Sequence, residues 1–222
     1  MFIILANVYW KNNDLPSTFY LIFQGIDQEL WKKCRDSFYP DGYDLIRNVF
    51  PQADPQVVVQ QAFKSFEDFH DYMSENEGVS LDWHEYQCFG DYWNQLADQS
   101  EGWSKHLEAA RAWGDDARTM PIFTGEWSLA VTDCQLYLDG GWADPYNPVA
   151  SNSACEYYNS DFSTYSDEYK GFLKEFFVAQ SEGYENKGVG WFFWTGKTEN
   201  NCAPEWDYLY LVEKGIISEN LC

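Results

Sequence analysis

The chain has 222 residues, 36 of them acidic against 14 basic, for a formal net charge of −22. A field of that sign repels phosphate backbones and anionic lipid headgroups, which argues against nucleic acid and acidic membrane surfaces as partners and leaves neutral ligands unaffected. Aromatic residues make up 19% of the chain, with 11 Trp and 16 Tyr; so many rings suit stacking on the apolar faces of sugars, with a large aromatic core as the competing reading.

The start, Met1-Phe2-Ile3-Ile4-Leu5-Ala6-Asn7, has no Lys or Arg ahead of its short apolar run. That departs from the usual pattern of a secretory signal, and the expectation is an incomplete or mis-started chain rather than a cytosolic one. No segment approaches the roughly 18 apolar residues of a membrane span. Between 27 and 50, Leu30, Cys34, Phe38, Leu45, Ile46 and Val49 recur at helical spacing and stop before Pro51, which predicts an amphipathic helix. Val57-Val58-Val59 reads as a strand buried on both faces. Further strands are expected over 79–86, 121–126 and 189–194, with helices near 66–74, 92–113, 167–184 and 206–214. A long acidic and aromatic insertion covers 137–167.

Four β-then-α units in succession imply an α/β fold with parallel strands and crossover helices. A (β/α)8 TIM barrel needs eight strands and about 250 residues, so this chain would cover about the second four β/α units. Polar and aromatic residues gather at each strand's carboxyl end: Phe63, then His84 and Tyr86, then Glu126, then Trp194. That is the rim where barrels place active sites. An open flavodoxin-like sheet offers no reason for the aromatics, and no Gly-rich loop follows the first strand. The six cysteines show neither Cys-x-x-Cys nor zinc-type His spacing, so no metal or cofactor is implied and an oxidising compartment fits better.

Glu126 sits in Thr124-Gly125-Glu126-Trp127-Ser128-Leu129-Ala130-Val131-Thr132-Asp133-Cys134, at the end of the apolar run Pro121-Ile122-Phe123. A retaining glycosidase needs a carboxylate nucleophile at such a corner and an acid about 5 to 5.5 Å away; a Glu that merely pairs with Arg or caps a backbone is the bland alternative. In Asp82-Trp83-His84-Glu85-Tyr86-Gln87-Cys88-Phe89, strand alternation sends Asp82, His84 and Tyr86 to one face, although a His in a strand is commonly a satisfied core residue. Phe63 closes Gln60-Gln61-Ala62-Phe63, with plain packing as the competing reading. Trp194 ends Gly190-Trp191-Phe192-Phe193-Trp194, in which Trp191, Phe192 and Phe193 are best explained by core packing.

These segments resemble the fungal exo-β-1,3-glucanases of glycoside hydrolase family 5, over about 25–222, the carboxyl-terminal half of a full enzyme, with 1–24 a non-matching N-terminal segment. The resemblance implies a glucan exo-1,3-β-glucosidase acting on β-glucan by double displacement, extracellular or bound to the cell wall. It makes Glu126 the nucleophile, Tyr86 the residue that holds its carboxylate, and His84 a hydrogen-bonding partner of the sugar or the nucleophile region. Phe89 would line the acceptor side, Phe63 the substrate entrance, and Trp194 the platform beneath the sugar in the −1 subsite. Gln61 replaces an acid of the family, and Gly196 replaces an aromatic. A Cys134–Cys155 disulfide is implied. The family partner of a terminal Cys is missing from Ala110-Arg111-Ala112-Trp113-Gly114, leaving Cys202 as the substitute partner for Cys222. The family's acid/base is the Glu of an Asn-Glu-Pro motif, which does not occur in these 222 residues; neither Glu85 nor Glu199 is suited to replace it. Three readings follow: part of a secreted retaining β-1,3-glucanase, a non-catalytic glucan-binding remnant, or an acidic surface protein whose aromatics only pack.

Overall fold

Val57, Val58 and Val59 are all buried, as β-branched residues are in a strand covered on both faces. They open strand β2 (Val57–Gln60) of a four-stranded sheet ordered β1-β2-β3-β4, with β1 at Phe19–Leu21, β3 at Val79–Glu85 and β4 at Ile122–Trp127. β1 runs parallel to β2 in the register Phe19↔Val57, and β2 parallel to β3 in the register Val57↔Val79. The computed structural model describes residues 19–21, 28–53, 55–89, 100–115, 120–135 and 161–218. Most of the expected insertion, Cys155, Cys222 and the start of the helix expected over 92–113 lie outside the described residues.

The chain divides into two compact units. The first comprises Met1–His84, Gly114–Gly125 and Lys187–Gly190. Here the helix expected over 27–50 is helical throughout, as α1 (Gln28–Lys33), a π-helical turn (Cys34–Phe38) and α2 (Tyr39–Val49). Its inward face shares Cys34 with the expected stripe but otherwise differs: Trp31, Tyr39 and Tyr43 are buried, whereas Leu30, Leu45 and Val49 are exposed. The buried tyrosines also have main-chain acceptors, Tyr39 Oη donating to Gln60 O at 2.8 Å and Tyr43 Oη to Glu77 O at 3.0 Å. Arg47 fastens the turn before β3, donating to Pro55 O, Glu77 O and Gly78 O at 2.9 to 3.2 Å. Gly78 has φ +70°, and a Cβ there would run into Ala53 O and the Arg47 guanidinium, so only glycine fits.

The helix expected over 66–74 is a single 3-10 turn, Phe66–Phe69. Ser65 and Asp68 form a capping box at its start, but Asp71 and Met73 adopt positive φ, which an α-helix cannot continue through. The β2–β3 connection therefore lacks the expected α-helix.

The second unit comprises Glu85–Trp113, Glu126–Asn186 and Trp191–Cys222. Its helices are α3 (Ser100–Ala112), α4 (Asp167–Asn186) and α5 (Tyr208–Glu213), the last capped by Asp207, whose carboxylate accepts from Tyr210 N at 2.9 Å. Its core is aromatic. Trp127 is fully buried, with the rings of Phe177, Tyr184, Trp191 and Phe193 at 5.0 to 5.4 Å. Gly183 on α4 lies so near Ala110 O on α3 that a Cβ would sit 3.2 Å from it.

The strand expected over 189–194 is a single bridge residue at Trp191. Val189 N and Trp194 N still donate to Ile122 O and Trp127 O at 2.8 and 2.7 Å, so the segment follows β4 without a continuous ladder. Val189, Phe192 and Trp194 are exposed; the core packing expected of Phe192 is not found, while Trp191 packs on Trp127.

Candidate active site

Strand β3 carries the expected polar face. In the first unit Asp82 and His84 are both buried, with His84 Nε2 3.3 Å from Asp82 Oδ2. Gln61 clamps the His84 main chain at both ends: Gln61 Oε1 accepts from His84 N at 3.0 Å, and Gln61 Nε2 donates to His84 O at 3.3 Å. The amide in the place of the family's acid thus serves the backbone. Gln60 does the same locally, its Oε1 accepting from Ala62 N at 2.6 Å. Ala62 and Phe63 both have positive φ, and this tight turn leaves Phe63 about half exposed at 52%, its ring edge-on to His84 at 5.9 Å.

Gly125 has a steric reason to be glycine. A Cβ there would overlap Asp82 Oδ1 and lie 2.8 Å from Asp82 Cγ. Asp82 Oδ1 has no hydrogen-bond partner, so this carboxylate uses one oxygen toward His84 and lays the other against bare backbone.

In the second unit Tyr86 Oη donates to Glu126 Oε2 at 2.8 Å. Tyr86 is the residue after β3, and Glu126 lies one residue before the end of β4. A charge-assisted hydrogen bond to one oxygen fixes the plane of a carboxylate and the direction of its other oxygen. Tyr86 is itself held from two sides, with Phe89 edge-on at 5.6 Å and Trp206 at 5.4 Å. Phe89 is 37% exposed and Trp206 is buried.

Trp194 is half exposed on a fixed backbone. Its N–H donates to Trp127 O and the next N–H, of Thr195, to Trp206 O, both at 2.7 Å; the Trp194–Thr195 peptide is cis. Glu199 is exposed in a 3-10 turn (Glu199–Asn201). Cys134 is disulfide-bonded, its partner lying outside the described residues. Cys202 has a free thiol, so the pairing of Cys202 with Cys222 is not made.

The readings above give no role to Glu205 and Trp206, which lie in the segment Pro204-Glu205-Trp206-Asp207. The Glu205 side chain is buried, with Tyr169 Oη donating to its Oε1 at 3.2 Å. Burial pushes its carboxyl up to about 7, against the opposing pull of hydrogen bonds from Tyr165, its own backbone and Tyr169. A Glu flanked by Pro and Trp in an otherwise apolar run was the available signal. Among the described residues no group of His, Cys, Asp and Glu is arranged to hold a metal ion, and no helix is long and apolar enough to cross a membrane.

No protein-family model matches the chain. It is 33% identical over 198 residues to the glucan 1,3-beta-glucosidase of Candida oleophila, covering 83% of this chain and 44% of that protein. With glucan 1,3-beta-glucosidase I/II of Saccharomyces cerevisiae the identity is 29% over 204 residues, covering 85% of this chain and 43% of the relative. Among solved structures, the rutinosidase from Aspergillus niger superposes with a TM-score of 0.50 at 16% identity, over 82% of this chain and 43% of that one; a likeness at that identity concerns the fold alone. The chain is thus similar to glucan 1,3-beta-glucosidases, and it spans less than half the length of these curated relatives.

Proposed function

We propose that the chain is the carboxyl-terminal part of a retaining exo-β-1,3-glucanase of glycoside hydrolase family 5, contributing the second four β/α units of a (β/α)8 barrel. The observation that carries this reading is the Tyr86–Glu126 hydrogen bond of 2.8 Å at the ends of two neighbouring sheet strands, in a chain similar to glucan 1,3-beta-glucosidases. Glu126 attacks the anomeric carbon and forms a glycosyl ester as the bond to the leaving oxygen breaks; water then cleaves the ester with net retention. Tyr86 orients the attacking carboxylate. Half-exposed Trp194 offers a flat face for the sugar ring, Phe89 lines the acceptor side, Phe63 the entrance, and His84 serves a sugar hydroxyl or the nucleophile region. The acid that protonates the leaving oxygen is supplied from outside these 222 residues. The reading also takes Cys155 as the partner of Cys134 and places the protein outside the cell or at the wall.

A glucan-binding remnant is the second reading, favoured by one observation, the absence of Asn-Glu-Pro from the sequence. One reagent separates the two. The aglycone of 2,4-dinitrophenyl 2-deoxy-2-fluoro-β-glucoside departs without acid help, so the intact mass of the exposed chain reports the nucleophile alone. The expected result is a single glycosyl adduct mapped to Glu126 and lost in E126Q. No adduct, together with unchanged binding of laminarin oligosaccharides, would establish the remnant instead.

A further inference from the structure

The Pro204–Trp206 turn fastens several parts of the second unit at once. Glu205 O accepts from Leu129 N at 3.0 Å, just beyond β4, and Trp206 O accepts from Thr195 N at 2.7 Å, just beyond Trp194. The Trp206 ring meets Tyr86 at 5.4 Å, and Tyr86 in turn holds Glu126. The side chain at the centre of this turn is a carboxyl with 4% residual exposure, which the chemistry above does not use. It borders a small cleft lined by Ala130, Thr132, Cys134 and Gln135.

Burying a carboxyl in an apolar surround is costly, so its retention calls for a reason beyond filling space. Its hydrogen-bonding partners are its own backbone N–H and two hydroxyls, Tyr169 on α4 and Tyr165 just before it. No charged side chain figures among the groups that act on its ionisation. The other titratable groups of the neighbourhood are engaged elsewhere. Asp207 accepts from Thr198 and Tyr210, and disulfide-bonded Cys134 does not titrate.

We propose that Glu205 is a positioning residue: anchored by Tyr165 and Tyr169, it sets the Pro204–Trp206 turn so that Trp206 bears on Tyr86 and keeps the Tyr86 hydroxyl on Glu126. Its significance for catalysis rests on the glycosidase reading, whereas the positioning itself is a property of the fold. Protonated, the carboxyl can accept from one tyrosine and donate in its turn. Ionised, it is an acceptor only, buried without a cation, and the turn adjusts to relieve it. Tyr86 therefore senses the protonation of a group it does not touch.

The test uses the full chain with tyrosine labelled at 13Cζ, the Tyr86 resonance being assigned by its loss in Y86F. In the wild type that resonance is expected to shift along one transition with a midpoint of about 7. E205Q, which keeps an acceptor and cannot ionise, should abolish the transition, and E205A should displace the resonance at every pH. A Tyr86 resonance indifferent to pH and to both substitutions would overturn the proposal. In parallel, the rate of Glu126 labelling by the fluoroglucoside should fall roughly tenfold or more in E205A and remain near wild type in E205Q. A responsive Tyr86 without any labelling of the wild type refutes the glycosidase reading and leaves the positioning role standing. Normal labelling with a silent Tyr86 does the reverse.

Discussion

The two units bury polar side chains in different ways. In the first, Gln60, Gln61, Tyr39 and Tyr43 bond to main-chain groups, with Asp82–His84 as a buried side-chain pair beside them. In the second, three buried pairs are side chain to side chain, Tyr169 with Glu205, Tyr184 with Gln180, and His106 with Gln87, while Gln180 also donates to Ser128 O. A side chain tied to the backbone stiffens a strand end and has little chemistry left. A titratable group buried against another side chain can still gain or lose its proton, and Glu205, raised to about 7, and His106, held down at about 4, both lie in the second unit.

The largest effect should come from removing the ring at the centre of the second unit. Trp127 is enclosed by four aromatic rings at 5.0 to 5.4 Å, so W127A leaves a void that the rigid rings cannot close. A loss of about 3 to 5 kcal/mol is expected in urea denaturation. In the first unit V58A removes two methyl groups from an aliphatic sheet and should cost about 1 to 3 kcal/mol. Equal losses would mean that the aromatic layer is loosely packed and the contrast false.

The next prediction concerns protons. Burial holds the His106 imidazole down at about 4, so the folded state binds fewer protons than the unfolded between 4 and 6.5, and stability falls as pH drops through that window. Glu205 is raised from 4.5 to about 7, so the folded state binds more protons there, and stability falls as pH rises through the window. Where the windows overlap the two slopes oppose each other, and the wild-type contribution from this pair is nearly flat. E205Q removes one slope. Its stability relative to wild type should grow from pH 4.5 upward and level off above 7, with a full difference on the order of 3 kcal/mol. A constant offset across pH would show that Glu205 ionises normally.

The first unit offers a steric counterpart. G125A should cost about 1 to 3 kcal/mol, because the new methyl displaces the Asp82 carboxylate. In the D82A background that clash is gone, so the two substitutions should be strongly non-additive in a double-mutant cycle. Additivity would place the need for glycine in the backbone of β4 alone.

What the sequence disclosed follows from how local each signal is. Val57–Val59 reads correctly as a strand because burial on both faces demands continuous apolar residues, and the strand expected over 121–126 is found as Ile122–Trp127. The segment 189–194 is also mostly apolar and still forms only a bridge at Trp191, because ladder formation depends on partners that composition does not specify. Phe66–Phe69 stops after one turn where Asp71 and Met73 take positive φ, a choice no helical periodicity records. At the candidate site the pairs Tyr86–Glu126 and Asp82–His84 involve residues that strand alternation and the family resemblance together had singled out. Glu205 was missed because its importance comes from burial beside Tyr169, 36 positions away in sequence.

The smallest effect tests the most instructive misreading. The apolar spacing over 27–50 selects Leu30, Cys34, Phe38, Leu45, Ile46 and Val49; of these Cys34 is buried, yet the structure turns Trp31, Tyr39 and Tyr43 inward and leaves Leu45 and Val49 each 69% exposed. The aromatic residues bury more area per side chain, and a tyrosine can do so while its hydroxyl reaches a carbonyl, as Tyr39 and Tyr43 both do. Helical phase alone does not weigh that advantage, and the π-helical turn at Cys34–Phe38 shifts the phase between α1 and α2. L45S should therefore change stability by less than about 0.5 kcal/mol, while Y39F, on the same helix, strands the buried Gln60 carbonyl and should cost about 1 to 2 kcal/mol. A large loss in L45S would mean that something covers this face of α2 in solution, and the aliphatic stripe would regain its meaning.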